Sequence, residues 1–316
     1  MKRPESLPID PSRLRVTDLI IGLLSLVWGT TYFVIQEGLS DLPPFTAVGV
    51  RFAIAGSIFA LIAPAISRRE GGRRPGLRIS LVLGLGNFTI AYAIVYVVET
   101  KLPSGLVSVF WGTFPLMLAT CVRIFLPDEV MSRRQWLGFS IGFLGIIILF
   151  LTDLREIGED GMIFGALLLL SPLVTSFGQV YVKKHGGHVS SVQLNRNGLL
   201  IASIVLLAIA GMREGDARIV WSATAIGSVL YLAIVGTVVT FGLYYWALRH
   251  APAHRLGVIA YLTPILALTI GTVFGQEPLS WHTLLGTALV LGSVGLVMRR
   301  GRRPTAMPAS VARTSD

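Results

Sequence analysis

Long apolar stretches with few charged residues alternate with short polar segments along nearly the whole chain. Most of these stretches approach the roughly 20 residues that a helix needs to cross the hydrocarbon core of a membrane. Because backbone groups in hydrocarbon need internal partners, each crossing stretch is expected to be helical. The pattern predicts an all-α polytopic membrane protein with ten transmembrane helices, at about residues 19–36, 44–67, 79–98, 105–126, 135–151, 161–182, 190–212, 219–248, 256–275 and 281–298.

The composition supports this class of protein. Hydrophobic residues make up 53% of the chain and charged residues only 14%, whereas soluble domains carry about 25% charge. The net charge of +10 could indicate a nucleic-acid partner. However, the basic residues form short clusters between apolar stretches and are not interleaved with stacking aromatics. We therefore expect a membrane protein that does not bind nucleic acid.

The distribution of Lys and Arg predicts the orientation of the chain. The two tails and every second loop carry 20 of the 27 Lys and Arg, and the remaining loops carry four. Because basic loops stay on the cytoplasmic side, both termini are expected in the cytoplasm. The prediction is a multi-pass protein of a bacterial-type inner (plasma) membrane, with the lipid bilayer as a partner.

Identical residues keep step between two parts of the chain, which indicates an internal duplication. The matched pairs are Pro103 and Pro252, Val109 and Val258, Pro115 and Pro264, Thr120 and Thr269, then, after a slip of one residue, Glu129 and Glu277, Ser132 and Ser280, Gly138 and Gly286.

The duplication divides the chain into two halves with five spans each. The predicted ranges are a cytoplasmic tail (1–18), a first repeat (19–151), an acidic linker (152–160), a second repeat (161–298) and a basic cytoplasmic tail (299–316). Since five is odd, the second half must enter from the opposite side of the membrane. The halves are therefore expected to be inverted repeats, with a binding site near the midplane.

Several short motifs carry a resemblance to a known family. They are Val27–Phe33 in the first span, Gly49–Phe52 in the second and Leu102–Leu106 before the fourth, together with the repeated proline and the paired Glu-x-x-Ser-x5-Gly segments. The chain resembles the EamA-type transporters of the drug/metabolite transporter superfamily. The resemblance implies a central cavity lined by helices 1–4 and 6–9, peripheral helices 5 and 10, and transport of small metabolites, often as efflux.

The expected function is a secondary transporter that exports a small metabolite, such as an amino acid or related compound, by alternating access. An intramembrane enzyme is one alternative, but the spans hold no nucleophile–base set or metal ligands, so no catalytic residue, metal or cofactor is predicted. A non-transporting membrane scaffold is the other alternative, and it would leave the duplication unexplained. The partner expected besides lipid is a small-molecule solute.

Polar and aromatic residues at mid-depth in the spans are the candidates for a substrate cavity. Such residues need a partner or water when they cannot reach the interface. The candidates are Trp28, Thr31, Tyr32, Asn87, Tyr92 and Trp111 in the first half, and Ser171, Ser176, Thr240, Tyr244 and Tyr261 in the second.

One arginine interrupts the second span of each half, and the two positions are nearly equivalent. Arg51 and Arg196 are candidates for a symmetric gate or for anchors of an anionic substrate group, because a cation inside a span usually faces a partner or a wet cavity. Snorkelling to the nearby interface is the alternative for both.

Ion coupling is poorly marked in the sequence. A proton-driven carrier generally uses a carboxylate inside the membrane, and here Glu37, Glu99, Glu129 and Glu277 all lie at span ends. Glu99 is expected to form a surface pair with Lys101. The glycines of the fifth span are expected to serve helix packing, with a homodimer contact as the other option.

Overall fold

The computed structural model describes residues 11–70, 72–125, 133–151, 153–186, 189–250 and 259–298. In this part the chain is helical, with turns between the helices, which confirms the predicted all-α class. The helices are α1 (Pro11–Leu39), α2 (Pro44–Glu70), α3 (Leu77–Glu99), α4 (Ser104–Phe125), α5 (Arg133–Leu151), α6 (Glu159–His185), α7 (Ser191–Arg213), α8 (223–250), α9 (Ile259–Phe274) and α10 (Trp281–Met298).

Seven of the described helices are long and apolar enough to cross a membrane, namely α1 to α4 and α6 to α8. The described apolar parts of α5, α9 and α10 are shorter. Large apolar side chains such as Leu61 (81% exposed) lie on the outside of the bundle, which suits a surface that faces lipid. Residues 1–10 and 299–316 of the predicted tails and the Glu129 and Ser132 positions lie outside the described residues. Residues 11–18, predicted as part of the amino-terminal tail, belong to α1.

Two helices at equivalent places in the halves depart from regular α geometry. A π-helical segment occupies Val82–Ile90 in α3, and another occupies Ile234–Val239 in α8. In each segment a threonine hydroxyl donates to the carbonyl five residues earlier, at 2.8 Å: Thr89 to Gly84, and Thr237 to Leu232. The duplication has therefore preserved a local irregularity of the kind that often occurs at functional sites.

The hydrogen bonds between loops define the two ends of the bundle. At end A, the loops around Asp41, Ser104, Glu214 and Glu277 come together. At end B, the loop after α2 meets the start of α7, where the Ser190 N–H donates to the Arg73 carbonyl at 3.0 Å. On the orientation predicted from the basic loops, end A is external and end B is cytoplasmic.

The two halves pack together mainly through α2 and α7, while α5 and α10 pair with each other at the side of the bundle. Side chains such as Phe52, Phe110 and Leu206 are fully buried between the central helices. The α5–α10 contact depends on small residues: an added Cβ at Gly142 or Gly145 would collide with Ser293 or the Gly286 backbone. Packing within the chain therefore covers this glycine face. The homodimer option stays a prediction.

The glycine contact between α5 and α10 can be tested with two matched substitutions. A Cβ at Gly145 would lie 2.8 Å from the Gly286 carbonyl oxygen, whereas one at Gly292 on α10 would have nothing within 4 Å. We expect Gly145→Ala to lower the melting temperature in detergent. Gly292→Ala should raise it slightly, because alanine is favoured over glycine in helices by about 0.5–1 kcal/mol. Equal shifts for the two variants would contradict this packing.

Candidate functional site

A cavity of about 480 Å³ lies between the two halves of the bundle. Its wall is formed by α1, α2, α3 and α4 from the first half and by α6, α7, α8 and α9 from the second, the same helices that the resemblance implies. Both repeated prolines, Pro115 and Pro264, are part of the wall. The volume lies within the range of about 300–1,000 Å³ that is usual for small-molecule sites.

Most of the residues predicted for the cavity from the sequence are part of its wall. Trp28 of the first half stacks in a tilted contact on Tyr244 of the second, with ring centroids 5.7 Å apart. The predicted residues in the wall are Trp28, Thr31, Tyr32, Arg51, Asn87, Tyr92, Trp111 and Tyr244.

Three predicted residues lie elsewhere, in contacts between or within helices. The buried Ser171 hydroxyl donates to the Ala91 carbonyl at 2.8 Å, and Ser176 donates to the Pro172 carbonyl one turn earlier at 2.7 Å. Thr240 donates to the Thr237 carbonyl at 3.3 Å. Hydroxyls in apolar helices commonly bond to the backbone in this way, so their presence at mid-depth does not indicate a cavity. The side chain of Tyr261 lies outside the described part of the chain.

Sequence reasoning missed several polar residues of the wall. Thr175 and Gln179 on α6 line the cavity, and Thr263 lines it on α9 beside Pro264. A signal was available for the first two, because residues four apart lie on one face of a helix. Thr263 directly precedes the repeated proline, as Phe114 precedes Pro115 in the other half, and both line the cavity.

Four buried polar atoms of the wall have no hydrogen-bond partner among the described residues. They are the Asn87 carbonyl oxygen, the Trp111 indole nitrogen and the hydroxyls of Thr175 and Thr263. Asn87 makes only one long contact, from its amide nitrogen to the Thr175 carbonyl at 3.4 Å. Burying a polar group without a partner is costly. The four residues line the cavity, while their unpartnered atoms, an acceptor, a donor and two hydroxyls, have almost no accessible surface in this structure.

Arg51 closes the cavity at the side of end A. The residue is only 2% exposed. It donates to the Tyr96 hydroxyl and, through Nε and Nη2, to the Thr237 hydroxyl, all at 3.2 Å. It also lies over the ring of Tyr92, 5.2 Å from the centroid. The hydrogen bonds to Thr237 join the first half to the π segment of the second.

Arg196 does not share the environment of Arg51, which differs from the predicted symmetric pair. Arg51 is seven residues from the start of α2 at Pro44, but Arg196 is only five from the start of α7 at Ser191. Two residues correspond to a rotation of about 200° around a helix, so Arg196 lies on a different face. It lines a separate cavity near end B, and its guanidinium donates to the Asn197 carbonyl oxygen at 2.8 and 3.1 Å.

The expected surface pair of Glu99 and Lys101 is wrong. Lys101 pairs with Asp160 at 3.4 Å, and Glu99 is only 2% exposed. Neither carboxylate oxygen of Glu99 has a hydrogen-bond partner in the described part of the chain. Glu99 lies at the end of α3, one turn beyond the cavity residue Val95, and it interacts electrostatically with Glu277 and Arg51. The position of Glu99 at a span end predicts an exposed carboxylate, whereas the structure buries it.

Two carboxylates of the second half cap helices of the first half at end A. Glu214 accepts hydrogen bonds from the Phe45 and Thr46 N–H groups at 2.8 Å each. Glu277 accepts from the Ser104 and Gly105 N–H groups at 2.8 and 2.9 Å. These N–H groups begin α2 and α4 and have no partner within their helices. Each carboxylate therefore holds the two halves together at end A, and the negative charge also favours the positive end of the helix.

Within the described residues, no group of three His, Cys, Asp or Glu side chains could hold a metal ion. The buried Cys121 is a free thiol.

The geometry defines a helical membrane protein built from two repeated halves around a polar and aromatic cavity. The EamA-like transporter family model matches residues 16–151 and 162–299, one match for each half. The chain therefore belongs to the EamA-like transporter family, and it is a membrane transporter. These two matches also confirm the duplication found in the sequence.

Relatives with known names agree with this assignment. The "Uncharacterized inner membrane transporter YedA" of Escherichia coli K12 is 30% identical over 87% of this chain and 88% of its own. A "Probable amino-acid metabolite efflux pump" of Salmonella typhimurium LT2 is 26% identical over 86% of this chain and 91% of its own. A solved structure superposes with a TM-score of 0.65 over 90% of this chain and 97% of that chain, at 18% identity, which supports the fold. The family and these names point to transport rather than to enzymatic activity.

The cap formed by Glu277 can be tested by removing its charge. Glu277→Gln keeps the shape of the side chain, but it replaces one acceptor oxygen by an NH₂ group, which cannot accept the hydrogen bond from the Gly105 N–H. We expect a loss of about 1–2 kcal/mol in stability, as for other lost helix caps, seen as a lower melting temperature. Glu37→Gln is the control, because Glu37 is exposed at the end of α1. Similar melting temperatures for the two variants would contradict the cap.

The same substitution at Glu99 should act in the opposite direction. Glu99 is buried without a hydrogen-bond partner, and a neutral amide is less costly to bury than a carboxylate. We expect Glu99→Gln to leave the melting temperature unchanged or to raise it, in the same assay as Glu277→Gln. A drop as large as that of Glu277→Gln would show that the Glu99 carboxylate has a stabilising partner.

Proposed function

We propose that this protein is a secondary transporter of the inner membrane that exports a small metabolite, such as an amino acid or related compound, by alternating access. In this proposal α1 to α10 are ten transmembrane helices arranged as two inverted repeats of five, with both termini in the cytoplasm. The odd number of spans in each half and the excess of basic residues in alternate loops support this topology.

The observation that carries the proposal is the cavity between the halves, whose wall holds polar atoms without partners. A cavity between two repeated halves is the arrangement in which a solute can be exposed to each side in turn. A scaffold has no use for unpartnered polar atoms such as those of Asn87 and Trp111, because each one lowers stability. Because these atoms have almost no accessible surface in this structure, a solute or its water would satisfy them only when the wall shifts to expose them.

The groups in the wall suggest the chemistry of the solute. Arg51 can bind a carboxylate at one end of the cavity. A guanidinium has five N–H donors, and the hydrogen bonds described above use three of those of Arg51, which leaves two. The Asn87 carbonyl oxygen and the hydroxyls of Thr175 and Thr263 would accept from an amino group when the wall shifts to expose them. Trp28 and Trp111 provide apolar surface for a side chain. An amino acid or a similar compound combines these features, in keeping with the name of the Salmonella relative.

The contacts at end A support a state in which the cavity is closed on the external side. The carboxylates of Glu214 and Glu277 and the Arg51–Thr237 hydrogen bonds all join the halves there. Toward end B the wall reaches Gln179, whose side chain is exposed. In the proposed orientation this is an inward-facing state, and release of the solute outside requires these contacts at end A to separate.

Transport by purified protein in proteoliposomes tests the proposal. We expect counterflow of at least one amino acid or related compound from a panel of radiolabelled solutes, at a rate above that of empty vesicles. Trp111→Ala should reduce this rate by about tenfold or more, because it removes both apolar surface and a donor from the cavity wall. The control is Trp136→Ala on α5, a tryptophan that is 63% exposed and outside the cavity.

Two outcomes would contradict the proposal. If no solute of a broad metabolite panel exchanges faster than in empty vesicles, the protein is not a carrier of this class of compound. If Trp111→Ala and Trp136→Ala exchange solute at equal rates, the cavity between the halves is not the binding site. The folding of both variants is checked by their melting temperatures in detergent.

A further inference from the structure

A second cavity of about 450 Å³ lies near end B, apart from the cavity between the halves. Three segments that are distant in sequence form it: the last turns of α2, the loop before α3 and the first turns of α7. Each contributes one arginine, and these are Arg68, Arg74 and Arg196. We call this space the arginine cavity.

Among the described side chains, the arginine cavity carries positive charge without a matching negative charge. No described Asp or Glu side chain lines it, and none of its three arginines forms an ion pair with a described residue. The side chains of Arg68 and Arg74 are exposed and that of Arg196 is half-buried. The cavity also lies beside the start of α7, where the helix dipole is positive.

The guanidinium of Arg196 is held in one orientation by a chain of hydrogen bonds. It donates twice to the Asn197 carbonyl oxygen, and the Asn197 amide donates to the Ser80 hydroxyl at 3.1 Å. Ser80 in turn donates to the Gly76 carbonyl at 3.0 Å. These contacts fix Arg196 relative to the start of α3, so that little conformational entropy would be lost when an anion binds.

The loop that carries Arg74 is also held in position. The Ser190 N–H donates to the Arg73 carbonyl at 3.0 Å, and Arg73 forms a parallel bridge with Val189. Arg74 therefore stays next to the start of α7. Three guanidinium groups around one space are suited to the oxygen atoms of a phosphate group, which arginine binds through paired hydrogen bonds.

The surroundings of the cavity point to lipid as the source of the phosphate. Ala63, Pro64 and Pro75 give the wall an apolar part. Neighbouring residues on α2 and α3 are large, apolar and exposed, among them Leu61 (81%) and Leu77 (73%). The arginine cavity thus lies where the basic end of the bundle meets its apolar belt, which is the depth of lipid headgroups. Basic pockets between helices at this depth are suited to anionic headgroups.

We propose that the arginine cavity is a binding site for the phosphate of an anionic glycerophospholipid. A bound headgroup would connect α2 of the first half with α7 of the second and would stabilise their contact at end B. This site is separate from the solute cavity, and the proposal does not depend on which solute is transported.

Thermal unfolding of the full-length protein in detergent, titrated with lipid, tests the proposal. Phosphatidylglycerol is the anionic lipid and phosphatidylcholine the zwitterionic control. We expect phosphatidylglycerol to raise the melting temperature by several degrees, because ligands that bind only the folded state stabilise it, and phosphatidylcholine to raise it much less. The double variant Arg74→Gln/Arg196→Gln should need about tenfold or more phosphatidylglycerol for the same rise.

A matched control separates this site from general charge. Arg133→Gln/Arg134→Gln removes two exposed basic residues at the start of α5, outside the arginine cavity, and it should behave like the unaltered protein. If Arg74→Gln/Arg196→Gln does not fold without lipid, Arg68→Gln/Arg74→Gln changes only exposed side chains and is expected to give the same loss.

Three results would overturn the proposal. Equal rises with phosphatidylglycerol and phosphatidylcholine would show that headgroup charge is not recognised. Equal losses in the control and cavity variants would show that binding depends on overall charge alone. If inorganic phosphate gives the same rise at the same concentration as phosphatidylglycerol, the ligand is a soluble phosphate and not a lipid.

Discussion

The structure depends on giving every backbone N–H and C=O a partner where water is scarce. Within a straight helix the chain does this alone, but helix starts and irregular segments need side chains. At end A the partners come from the opposite half, since Glu214 caps α2 and Glu277 caps α4. The same hydrogen bonds that satisfy the backbone therefore also join the two halves and close one end of the cavity between them.

In the middle of the bundle, the π segments also need side chains as partners for backbone carbonyl groups. Thr89 and Thr237 each bond to a carbonyl five residues earlier, at corresponding places in α3 and α8. The surrounding residues differ between the halves. Asn87 in one π segment lines the cavity, and the Thr237 hydroxyl in the other accepts hydrogen bonds from Arg51. The duplication thus kept the backbone geometry while the side chains diverged, which gives a symmetric scaffold an asymmetric binding site.

Sequence patterns predicted the helical class, the two halves and much of the cavity wall, because these depend on the length of apolar stretches and on polar residues that cannot reach the interface. They failed where the outcome depends on helix rotation or on distant neighbours. The sequence pairs Arg196 with Arg51, but a shift of two residues from the helix start places Arg196 on another face. The sequence predicts Ser171 in the cavity, but its hydroxyl bonds to a backbone carbonyl of α3. The sequence predicts Glu99 at the surface because it ends a span, but the residue is 2% exposed in the folded chain.

The contacts between the halves differ in how much free energy it costs to break them, and the cost depends on how far they lie from the end of the bundle. The N–H groups capped by Glu214 and Glu277 lie at helix ends, where water can replace a carboxylate when the halves separate, so the net cost of opening is small. Arg51 and Thr237 lie deeper, and separating them leaves a cation without its partner in a space of low dielectric. In the proposed mechanism that partner is replaced by water or by the carboxylate of the solute. In this proposal a solute that binds Arg51 would lower the cost of opening end A, and its binding and its release on the external side would be coupled through one guanidinium.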